Sequence, residues 1–190
     1  GLVRYHGLPD APTIGTLGCA ITPDTDDTAL VWRIAPPADR SSLANALRVI
    51  EEYRRPDGLY RTWLAPRAAY ACLDPGSDPN PADVAIQMHL HLLLRSVDPP
   101  AARSLCDALR RRIDDPGVWV YYGRAPIVPV LRRAELAREG CALRLPAARV
   151  ASDVPGQEPW VEAARRLALF VEGRERPDRI PFGQDARREV

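Results

Sequence analysis

Apolar positions along the chain recur mostly at i, i+3 and i+4, and few stretches alternate with period two. That spacing is the signature of amphipathic helices. Twenty prolines and twelve glycines cut the pattern into short segments. The expected architecture is therefore all-α: helices in consecutive pairs joined by Pro/Gly loops.

The first helix is expected to start within Pro23–Asp27 and to run to Ile34 or Ala35, where Pro36-Pro37 stops it. The second spans about Ser41 to Arg54, with Leu43, Leu47 and Ile50 on one face and Ser41 or Asp39 as its cap. Pro56-Asp57-Gly58 reads as a turn. Leu59–Pro66 fits either a short strand or an aromatic loop, and Asp74–Pro81 is a loop. Pro81–Val97 is apolar almost all round and is expected to be the central buried helix. Asn80 would be its N-cap, with Pro81 at the first helical position and Asp83 in the first turn. Asp98-Pro99-Pro100 opens a helix to about Ile113, and Asp114–Gly117 is a turn. Val118–Tyr122 is a strand or an aromatic loop. Ile127–Glu139 is a helix closed by Gly140, and Trp160–Glu172 is an amphipathic one. The expected layout is a helical domain over residues 1–146, a linker over 147–159, and a C-terminal helix with a charged tail over 160–190.

Composition narrows the function. The chain has 190 residues, enough for one core, and its net charge of +1 gives no bulk attraction for nucleic acid. Every one of its 26 basic residues is arginine. P-loop phosphate binding and Schiff-base chemistry, which use a lysine amine, are excluded. No apolar run reaches the ~20 residues of a membrane helix, and no signal-peptide pattern stands at the start. Cys19, Cys72, Cys106 and Cys141 are too far apart for a compact metal motif. They are expected to be reduced, mostly buried thiols in a cytoplasmic protein.

The candidate chemistry lies in Pro23–Ala29, which carries Asp24, Asp26 and Asp27. Three carboxylates within four residues repel one another, which raises at least one pKa and can keep a proton on one of them near neutral pH. Such a carboxyl can act as a general acid. The same residues also suit a plain helix start, so both readings stand here.

Asp24-Thr25-Asp26-Asp27-Thr28-Ala29 resembles the DxDDTA signature of class II terpene cyclases, the squalene–hopene and diterpene cyclase superfamily. The resemblance implies an α/α toroid whose helical hairpins ring a cavity. It implies Asp26 as the proton donor to an alkene or epoxide, with Asp24 and Asp27 tuning it. More loosely, Arg55–Trp63 resembles the glycine–aromatic turn before an inner helix, and residues 78–94 resemble the inner helix that follows. Gly117–Gly140 resembles a second such turn and helix. The chain supplies only part of a closed toroid and lacks QxxxGxW repeats and a DDxxD motif. An incomplete toroid exposes inner apolar surface, so a second protein subunit or a homo-oligomer is expected.

The remaining candidates have two readings each. Tyr60, Trp63 and Tyr122 are either core or an aromatic cavity wall that faces a cation. Arg61 and Arg124 are either solvated or anion-binding. Asp83 is a helix-start charge or a substrate-orienting group, and His89 is a core histidine or a ligand. His89 and His91, two apart on a helix, face different directions and do not share one metal. The expected function is ring formation on a small molecule in secondary metabolism, such as antibiotic biosynthesis, with no required cofactor and Mg²⁺ on the acids as the alternative. A second form of it is closure of a small ring, such as an aziridine, by loss of sulfate or phosphate from a polar metabolite. The other alternative is a non-catalytic scaffolding subunit.

Overall fold

The computed structural model describes residues 1–4, 21–36, 40–75, 80–122, 126–150 and 158–171. They are helical and contain no strand beyond isolated bridges, so the all-α expectation holds. The chain divides into two compact units, residues 1–120 and 121–190.

In the first unit, α1 (Thr25–Ile34) and α5 (Pro99–Arg112) both pack on α4 (Val84–Val97). Every α4 residue from Val84 to Leu94 is buried, as its all-round apolarity requires. Each large side chain there, such as Leu90 or Met88, contributes about 1.5–3 kcal/mol of burial. α2 (Arg40–Glu52) buries Leu43, Ala46 and Ile50. Its expected cap Asp39 lies outside the described residues. The Arg55–Leu59 turn closes with Arg55 N–H donating to the Leu59 carbonyl at 2.7 Å. Gly58 takes φ +89° there, and a Cβ would sit 3.2 Å from the Ala108 Cβ. The one-turn α3 (Arg67–Tyr70) follows the 59–64 segment.

Two details differ from the sequence reading. The 59–64 segment is neither strand nor free loop: it is an extended strip held by single antiparallel bridges, Asp24 with Trp63 and Arg54 with Tyr60. The central helix starts at Val84, not Pro81, and its N-cap is Asp83, whose carboxylate accepts from Ala85 N–H at 2.9 Å. Asn80 has a different task, described below. Val118–Tyr122 is likewise no strand; a single 3₁₀ turn, Pro116–Val118, ends against Trp119.

In the second unit, α6 (Ile127–Arg138) packs on α8 (Glu158–Val171). Gly140, at φ +86°, ends α6 with a Schellman pair: Cys141 N–H donates to Leu136 O and Gly140 N–H to Ala137 O. Within the segment expected to be linker, Ala147–Val150 forms the short α7. The charged tail beyond Val171 lies outside the described residues.

The cysteines correct the sequence reading. Cys72, Cys106 and Cys141 are each disulfide-bonded, and none of the described cysteines is a free thiol. Cys19 lies outside the described residues. Cysteine spacing tests for compact metal motifs but carries no information on which thiols the fold brings together.

Candidate acid site at the start of α1

The strip 60–64 connects the beginnings of two helices. On one side it meets α1: Thr25 N–H donates to Thr62 O at 2.8 Å, Leu64 N–H to Pro23 O at 2.9 Å, and the Thr25 hydroxyl to Arg61 O at 2.7 Å. On the other it meets the lead-in to α4: Thr62 gives its N–H and its hydroxyl to Pro81 O. Asn80 closes a two-way clamp on Trp63, accepting from its N–H and donating to its carbonyl, both at 2.8 Å. An asparagine amide matches a backbone N–H and C=O pair as no aspartate can. The α1 and α4 N-termini therefore lie at the same end of the unit, with Asp24 and Asp83 as their caps.

Asp24 carries the most perturbed chemistry. It is only 8% exposed, and its Oδ1 accepts the Asp27 N–H at 2.8 Å. Burial, reinforced by the charges of Asp26 and Asp27, pushes its carboxyl up to about 9. A side-chain hydrogen bond with Asp26 adds to the rise. Burial and the Asp26 charge also push Asp27 up. Burial together with crowding raises one member of the triplet strongly, and that member is Asp24, the most buried of the three. Among the described residues, the three carboxylates do not converge as a metal-ligand set.

Of the other candidates, Trp63 is tied to Asp24 by the bridge, stacks on Tyr70 at 5.9 Å between centroids, and points its indole N–H at Asp74 at 3.4 Å. Arg61 stands on the same strip and gives one N–H to Asn80 O. Tyr60 belongs to the core: it is 2% exposed, its hydroxyl donates to Glu51, and Gln87 brackets its backbone N–H and carbonyl. Burial and Glu51 push its phenol well above the ordinary range. Asp83 is fully buried as the α4 cap, and His89 is buried on α4. Tyr122 falls in the second unit, and Arg124 lies outside the described residues. The structure thus brings together Asp24, Asp26, Asp27, Arg61 and Trp63.

Sequence reasoning missed two residues. Asn80 has the composition of a cap and acts as a clamp. Thr22 is 8% exposed, and its hydroxyl is buried with no hydrogen-bond partner among the described residues. Leaving such a group unpaired costs about 1–3 kcal/mol. No sequence signal marks either role, because each depends on what the 60–64 strip and its neighbours bring close. No protein-family model, curated protein or solved structure matches this chain.

Proposed function

We propose that the chain is a ring-forming, cyclase- or lyase-type enzyme or enzyme subunit, with the start of α1 as its proton donor to a small molecule. The observation that carries this reading is Asp24: a buried carboxyl, raised to about 9, beside two further carboxylates. It holds a proton at neutral pH, as a general acid must. The resemblance of Asp24–Ala29 to the class II terpene cyclase motif supports an acid at this helix start, although it implies Asp26 rather than Asp24 as the donor, and the pairing of the α1 and α4 starts at one end of the unit is a feature an α/α toroid would have. The acid in this reading is Asp24, with Asp26 and Asp27 setting its environment.

The height of that pKa selects among reactions. An acid near 9 protonates a developing alkoxide or an epoxide oxygen far more readily than an alkene carbon. The reading is therefore ring formation started at oxygen. Loss of sulfate or phosphate from a polar metabolite is the second reading, favoured by the Arg61 guanidinium on the same strip. Neither reading routes a step through a metal. A second subunit or a second copy completing the cavity remains part of the proposal. No helix among the described residues is long and apolar enough to cross a membrane. The disulfides at Cys72, Cys106 and Cys141 support an oxidising compartment over the cytoplasm.

The test is incubation of the chain in D₂O with neutral epoxides, hydroxylated polyenes and amine-bearing sulfate or phosphate esters, read by product mass. Ring closure that is lost in Asp24→Asn supports the proposal. A ring-forming assembly that keeps its activity with Asp24→Asn refutes the acid role and leaves the chain a scaffold. Native mass spectrometry beside it reports whether the active species contains a second chain.

A further inference from the structure

We propose that the disulfide at Cys106 is a redox site set by His91: when a dithiol reductant opens the bond, the Cys106 thiol donates to the buried His91 imidazole, and this contact favours the reduced state. The site uses none of the acid residues at the start of α1.

The geometry lies within the first unit. His91 stands on α4 and Cys106 on α5, two helices that pack on each other. A ring nitrogen of His91 and the Cys106 sulfur lie within 4.8 Å of each other. His91 is 2% exposed and Cys106 3%, and Cys106 is disulfide-bonded. The His91 Nδ1 is buried with no hydrogen-bond partner among the described residues. Buried polar groups are nearly always paired, and a redox role is one of the few reasons for an exception. A disulfide sulfur has no proton to give, whereas a thiol has one. His91 is suited to the accepting side of that pair. Burial, with the Arg95 and Arg110 charges, lowers it to about 4, so the ring stays neutral and one of its nitrogens keeps a free lone pair.

The step balances with a dithiol as the co-reactant. The dithiol gives two electrons and two protons and leaves as a cyclic disulfide. The protein S–S bond breaks, two thiols form, and the Cys106 S–H donates to the His91 nitrogen. His91 thereby gains in the reduced state a hydrogen bond that it lacks in the oxidised one. That difference moves the equilibrium toward the thiol and raises the reduction potential of the bond.

The test equilibrates the full chain with dithiothreitol at graded ratios of reduced to oxidised reagent. After acid quenching and alkylation, peptide mass spectrometry reads the fraction of Cys106 that is reduced. His91→Phe keeps a ring of similar shape and removes the acceptor. Half-reduction of Cys106 should then need about a tenfold higher ratio, a shift of about 30 mV, the size expected when one buried acceptor loses its donor. His91→Gln, whose amide oxygen accepts, should recover most of the shift. A packing role alone predicts the opposite sign, because a loosened α4–α5 contact makes the bond easier to reduce. An unchanged midpoint or easier reduction in His91→Phe overturns the proposal. If His91→Phe does not fold, nitrogen NMR of the histidine-labelled wild-type chain decides, since the sequence holds only three histidines. The accepting His91 nitrogen should move toward its hydrogen-bonded position on reduction, and a His91 signal identical in the two redox states overturns the proposal.

Discussion

Replacing Asp24 by asparagine tests the central electrostatic claim without any substrate. The amide oxygen keeps the cap, because it accepts the Asp27 N–H as the carboxylate does. What it removes is the titration. The Asp24 carboxyl is raised from 3.8 to about 9, so between those values the folded chain holds a proton that the unfolded chain has released. Stability from this group is full below the unfolded value and is lost as pH rises toward 9. The slope is about 1.4 kcal/mol per pH unit for one proton. His91 pulls the other way at lower pH: burial, with the Arg95 and Arg110 charges, lowers it to about 4, so it costs stability as pH falls below 6.5. The clean window is therefore pH 7 to 9, where His91 is neutral in both states. Wild type should lose up to about 3 kcal/mol across it, with Asp27 acting in the same direction. Asp24→Asn should flatten that slope by most of this amount and be the more stable protein at pH 8. Urea unfolding at half-unit pH steps, with disulfides intact, measures it. Identical slopes in the two proteins would mean that Asp24 is already ionised in the fold, and the acid reading would go with it.

Other outcomes follow from the same contacts. Gly58→Ala should cost about 1–2 kcal/mol in chemical unfolding, from the left-handed φ of +89° and the 3.2 Å approach to Ala108. Gln87→Leu strips partners from both the N–H and carbonyl of Tyr60, and should lower stability by about 2–4 kcal/mol, well beyond what its apolar volume returns. Reduction with a dithiol should lower the melting temperature, as loss of a disulfide commonly costs about 2–4 kcal/mol; a melting curve indifferent to reductant would contradict the bonded state of Cys72, Cys106 and Cys141.

Helices were readable where one residue type had one task. The apolar run of α4, the proline stop after α1, Asp98 capping α5 and Gly140 ending α6 all lie where periodicity and cap chemistry put them. Reading failed where one residue type serves two ends. Asn80 and Asp83 are both good caps, and only the position of the Trp63 backbone decides that Asp83 caps while Asn80 clamps. The crowding of Asp24, Asp26 and Asp27 was visible in the sequence, but its distribution was not. Burial, a tertiary property, puts the largest rise on Asp24. Thr22 and the disulfides were illegible for the same reason: they depend on segments that meet only in the folded chain.

The strip has a consequence for the order of assembly. The contacts that dock the strip span long stretches of chain, Thr25 on α1 to Arg61 across 36 residues and Tyr60 to Gln87 on α4 across 27. Closing such loops costs entropy before the contacts return it. α4 and α5, joined through Asp98, can pair locally first, whereas Asp24 is sealed only once the strip has docked on both helix starts. The acid site is then among the last regions to form and the first to open. Its pH dependence should accordingly appear in the unfolding limb of the kinetics, with refolding rates nearly unaffected.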